Sequence, residues 1–126
     1  MQYRGAEDRL NPVAPTGVDD TTLGGYPAVH GRAPAFEGED GRPYTVAIEA
    51  ERKEGADRWV AYLVFLRWAQ TGSTIMGHLE TGDLTGAPTE REARAVLEAL
   101  PLGSVKEILD QEIARRAAEE AAEERP

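Results

Sequence analysis

The chain of 126 residues contains no cysteine. That removes disulfides, thiolate nucleophiles, iron–sulfur clusters and cysteine-ligated zinc, and leaves the redox compartment undecided. Histidine occurs only as His30 and His78, and lysine only as Lys53 and Lys106. The arginine, alanine and glycine that take up the rest read as the codon bias of a GC-rich genome, not as arginine-specific recognition. Long hydrophobic runs are missing as well. The longest, Trp59 to Leu66, has eight residues, where a membrane helix needs about 20. Glu7, Asp8 and Arg9 interrupt the only candidate for a signal-peptide core. A cytoplasmic protein without membrane contact is the expectation.

Catalytic motifs are also lacking. There is no glycine-rich phosphate loop ending in Lys-Ser or Lys-Thr, no Gly-x-Gly-x-x-Gly, and no serine in a Gly-x-Ser-x-Gly elbow. Gly72-Ser73-Thr74 is turn chemistry, with no base near it in sequence to activate the hydroxyl. No cofactor is expected, and enzymatic activity is not indicated.

Positive charge is short. The formal net charge is −9, from 23 acidic and 14 basic side chains. Residues 1–43 carry four arginines against seven acids, and residues 44–126 ten basic groups against sixteen acids. Neither part offers the basic footprint that phosphate-backbone binding needs, so direct nucleic-acid binding is not expected.

What the chain does contain is the pattern of one small domain. Residues 1–27 hold Pro12, Pro15, Gly17, Gly24, Gly25 and Pro27 without a sustained apolar period. They read as a flexible N-terminal arm, ordered only where Leu23 or Tyr26 finds a groove. Order is expected from Ala28, with an irregular edge strand over Val29–Phe36 and a turn at Asp40-Gly41. Tyr44, Val46, Ile48 and Ala50 alternate with Thr45, Ala47, Glu49 and Glu51, as in a strand covered on one side. Glu54-Gly-Ala-Asp57 closes a hairpin.

Arg58 to Ala69 departs from that pattern. In strand geometry Trp59, Ala61, Leu63 and Phe65 share one face, and Val60, Tyr62, Val64, Leu66 and Trp68 the other, so both faces are apolar. Trp59, Tyr62, Leu63 and Leu66 also fit helical spacing, with Asp57 placed to cap. Aromatic and β-branched enrichment and an upstream hairpin partner favour the strand. A shorter strand is expected over Thr74–Thr81, with Ile75 and Leu79 on one face and Met76, His78 and Glu80 on the other. A loop, Gly82–Pro88, follows.

Two helix starts are written as capping boxes. Thr89 with Glu92 precedes Ala93, Val96, Leu97 and Leu100, and Pro101 stops that helix. Ser104 with Glu107 precedes the stripe Val105, Ile108, Leu109, Ile113, Ala114 and Ala117. Glu112 and Arg116 have favourable i,i+4 spacing. Past Ala117 only Ala, Glu and Arg remain before the last residue, giving a solvated helix with an acidic end at Glu119, Glu120, Glu123 and Glu124. That end is either a plain solvated face or a docking surface for a basic partner. The expected fold class is α+β, an antiparallel three- to four-stranded sheet followed by two C-terminal helices packed on one face. Residues 28–118 form its single domain and residues 119–126 a fraying acidic helix end.

Three functional readings follow. The first starts from surplus apolar surface. Two helices cover one sheet face, which leaves Val60, Tyr62, Val64, Leu66 and Trp68, or their opposite set, in need of a cover. The first strand folding across, a second copy of the chain or another protein could supply it. Covering three such side chains contributes on the order of 5 kcal/mol, comparable to the whole stability of a small domain. A non-catalytic protein-binding or self-associating module, a homo-oligomer or the partner of another protein, is the leading expectation. The second reading is a ligand- or metal-binding protein or small enzyme using His78, Glu80 and Asp83. His78 and Glu80 share a strand face about 7 Å apart, and a facial triad would need His30 as well. The plain alternative is that both are polar residues on a partly exposed strand. The third rests on element order. Strand–strand–strand–helix over residues 44–100, with Thr89-Glu-Arg-Glu-Ala93 opening the helix, resembles antitoxin domains of the HicB type. That resemblance implies an antitoxin-like regulator, although the aromatic-rich second strand and the lack of a basic DNA-binding segment depart from it.

Overall fold

The computed structural model describes residues 17–55 and 57–124. The fold is α+β. In chain order the elements are α1 (Gly25–His30), β1 (Ala35–Glu37), β2 (Pro43–Arg52), β3 (Trp59–Trp68), β4 (Ile75–Glu80), β5 (Thr85–Ala87), α2 (Glu90–Glu98) and α3 (Leu102–Glu123).

All strand pairs are antiparallel, in the order β1-β2-β3-β4, with β5 also on β3. β2 pairs with β3 along Tyr44–Arg52, so β4 and β5 share β3's other edge, β4 along Val64–Trp68 and β5 along Trp59–Ala61. The extended reading of Trp59–Trp68 therefore holds. β3 is the central strand, and β-branched and aromatic side chains suit a strand with neighbours on both edges.

One face of the sheet carries the core. Tyr44 and Val46 from β2 and Ala61, Leu63 and Phe65 from β3 are buried against Ala93 and Leu97 of α2 and Val105 and Leu109 of α3. Thr89 caps α2 as its spacing predicts, its hydroxyl accepting from the Glu92 N–H at 3.1 Å. In α3 only Val105 and Leu109 are buried, Ile108 and Ile113 are half-buried, and Ala114 onward is exposed.

Several expectations are corrected. The packed unit reaches back to Asp19 instead of starting at Ala28. Leu23 lies in the core at 3% exposure, and the segment around it is stitched to the α2–α3 link by backbone hydrogen bonds. These run from Leu23 N–H to the Leu100 carbonyl (2.9 Å), from Gly24 N–H to Glu98 (2.8 Å) and from Leu102 N–H to Thr21 (2.8 Å). Gly24 and Gly25 read as marks of a loose arm, but Gly24 permits that approach and Gly25 permits the tight turn back onto Asp19. A Cβ on Gly25 would lie 1.7 Å from the Asp19 carbonyl oxygen, and one on Gly24 would lie 2.6 Å from Glu98 Cβ. Expected flexibility over residues 1–16 lies outside the described residues.

Val29–Phe36 is not one strand. Its start belongs to α1, where Tyr26 and His30 stack at i,i+4 with ring centroids 4.2 Å apart. Only Ala35–Glu37 is extended, pairing edge-on with β2. β1 therefore does not fold across the sheet. The turn behind it has Gly41 at φ 76°, as Asp40-Gly41 implied.

The stretch after β4 is more than a loop, because Thr85–Ala87 adds β5. Finally, Ser104 does not cap α3. That helix begins at Leu102, with Gly103 inside it, and Pro101 is its N-cap. The Leu102 N–H is satisfied by the Thr21 carbonyl, so a distant backbone group takes a role the local pattern gave to a side chain.

Candidate functional site: the second face of the sheet

Alternation along β3 sends Val60, Tyr62, Val64, Leu66 and Trp68 to the face opposite the helices. None of the five is among the residues packed into the core. Val60 is buried at 6% exposure and the other four are half-buried. Among the described residues no helix lies across them. Their shelter comes from cross-strand neighbours on the same face, which is how a central strand is shielded without a covering layer. Thr45 stands opposite Leu66, Ala47 opposite Val64, Glu49 opposite Tyr62 and Glu51 opposite Val60. On the other flank Glu80 stands opposite Val64 and His78 opposite Leu66.

The two ends of this stripe differ. At the Trp68 end, the indole Nε1–H donates to Thr45 Oγ1 at 2.9 Å, which ties the ring across to β2. β4 has a bulge there. Arg67 pairs with Gly77 and Trp68 with Ile75, so Met76 is the extra residue. The bulge brings Ile75 opposite Trp68, against the simple alternation that assigned it to the core face. Ile75 and Met76 are 51% and 55% exposed, which extends the apolar surface past Trp68.

The Tyr62 end is acidic. Glu49 and Glu51 on β2 and Glu80 on β4 are exposed, and among the described residues none has a cation within ion-pairing distance. Asp83, in the loop beyond β4, pairs with Lys53 at 3.0 Å. That pairing raises the Lys53 ammonium above its ordinary value, through the Asp83 hydrogen bond first and its charge second. The Tyr62 hydroxyl reports the same field. It is pushed up first by desolvation, then by Glu51, Glu80, Glu49 and Asp83.

The residues of the ligand or metal reading do not converge. His78 and Glu80 share this face as predicted, and both are exposed. Asp83 is engaged with Lys53, while His30 ends α1 with Nε2 3.4 Å from Asp20 Oδ2. Among the described residues no group of three or more His, Asp or Glu side chains could hold a metal ion. The acidic end of α3 is exposed and laced with ion pairs, Arg115 to Glu112 and Glu119, and Arg116 to Glu120. Glu112 thus pairs at i+3 with Arg115, not at i+4 with Arg116. β5 also inserts a strand into the strand–strand–strand–helix order on which the antitoxin resemblance rests.

Sequence reasoning named the five β3 side chains but not their flanks. Glu49, Glu51, Ile75 and Met76 became part of the site only through the β2–β3 register and the β4 bulge. Among the described residues no helix is long and apolar enough to cross a membrane. No known protein family, no curated protein and no solved structure matches this chain.

Proposed function

We propose that this chain is a non-catalytic cytoplasmic binding module whose docking surface is the second face of its sheet. The observation that carries the reading is the half-buried stripe Tyr62, Val64, Leu66 and Trp68, outside the core and continued by exposed Ile75 and Met76. Contiguous apolar surface of this kind marks interaction sites on soluble domains. A polar rim around an apolar centre is also the usual anatomy of a protein interface.

Size measurement in an extract of the native host tests it. The wild-type chain is expected in an assembly larger than its own 13.7 kDa, and Leu66→Glu is expected to release it as the free, folded chain. If wild type runs as the free chain, or the variant stays in the assembly, the face is not the docking surface.

A further inference from the structure

Resting on that reading, we infer that the occupant of the second face is an amphipathic helix from another protein, with lysine or arginine flanking its apolar stripe. At its Tyr62 end the apolar row of β3 lies between carboxylates, Glu49 and Glu51 on one neighbouring strand and Glu80 on the other, with Asp83 just beyond. Strands spaced about 4.8 Å apart put those two neighbours roughly 10 Å from each other. A helix is about 10–12 Å across with its side chains. Seated on Tyr62, Val64 and Leu66, it would hold cations of its Tyr62 end over Glu49 on one shoulder and Glu80 on the other.

The covered face shows that this sheet accepts helices, α2 and α3 lying on it through Ala93, Leu97, Val105 and Leu109. Two cations stand on this face at its Val60 end, and among the described residues neither forms an ion pair with Glu49, Glu51 or Glu80. Lys53 is engaged with Asp83, and the Arg58 guanidinium lies over Gly86, where a Cβ would come within 2.6 Å of it.

A second copy of the chain fits less well. It would bring the same carboxylates to the interface, on a chain of net charge −9. Its exposed helix end, beyond Ile113, is itself acidic at Glu119, Glu120 and Glu123. Like charges set against one another are what suppresses a wrong partner.

The test uses the full chain and three synthetic helical peptides. One has a leucine stripe flanked by lysines, the second the same stripe flanked by glutamates, and the third the lysines with the leucines replaced by serine. Binding is followed by calorimetry and by amide chemical shifts along β3. The lysine–leucine peptide is expected to bind at Tyr62–Trp68, and added salt to weaken it. Replacing Glu49, Glu51 and Glu80 together by Gln should weaken it about tenfold, the combined effect of three exposed ion pairs. The other two peptides should not bind.

Equal binding of the lysine and glutamate peptides would overturn the basic helix and leave the docking face standing. Self-association through the same face without peptide binding would do likewise. If no apolar peptide of either charge perturbs β3 and the chain stays monomeric, the docking reading falls with it.

Discussion

Thr81 shows how single side chains hold the sheet together where its ladder is interrupted. Between β4 and β5 the chain stays on the edge of β3, and the buried Thr81 hydroxyl accepts from the Leu63 N–H at 3.0 Å and donates to the Gly82 carbonyl at 2.9 Å. Thr81→Val keeps the shape and orphans that N–H, so it should cost about 1–3 kcal/mol in urea unfolding. Thr81→Ser should retain most of the stability. Tyr44 makes a second prediction. Burial first, and then the hydrogen bond from its hydroxyl to Asp40 Oδ2 at 2.8 Å, push its pKa from 10.0 up to about 12. The folded value lies above the unfolded one, so the neutral phenol favours the fold fully below about pH 10 and progressively less as pH rises toward about 12. Phenolate absorbance should show a tyrosine step near pH 12, and Tyr44→Phe should remove both that step and its share of the alkaline loss of stability.

At the scale of elements, the N-terminal clamp and the helix caps carry the argument. Gly25→Ala cannot be accommodated against the Asp19 carbonyl. It should loosen the 19–30 segment and speed hydrogen exchange at the Leu23 and Leu102 amides, while the β2–β3 amides stay protected. Unchanged exchange at Leu23 and Leu102 would mean that the clamp does not hold them. Thr89→Ala should cost about 1 kcal/mol, measured by thermal or denaturant unfolding, because the Glu92 N–H loses its cap. These elements also mark what the chain's patterning could reveal. β2, β3 and α2 were legible because their period and their caps are local. α1, β5 and the start of α3 were not, because each depends on a distant partner. Leu23 fills a core built mostly of residues far along the chain, Thr85–Ala87 borrows the edge of Trp59–Ala61, and Leu102 uses the Thr21 carbonyl.

On the scale of the whole molecule, two apolar sheet faces were visible in Arg58–Ala69, and among the described residues the helices meet only one of them. What the residues could not reveal was the surround of the second. Placing Glu49 beside Tyr62 and Glu80 beside Val64 needs the register of three strands, and exposing Ile75 beside Trp68 needs a bulge. The absence of cysteine makes this face directly measurable. Leu66→Cys on the second face and Leu63→Cys on the covered face would be labelled with a thiol reagent, alone and with the lysine–leucine peptide. Fast labelling is expected at position 66 of the free chain, slowed by the peptide, and slow labelling at position 63 throughout. Labelling at 66 as slow as at 63, or untouched by the peptide, would contradict the docking reading.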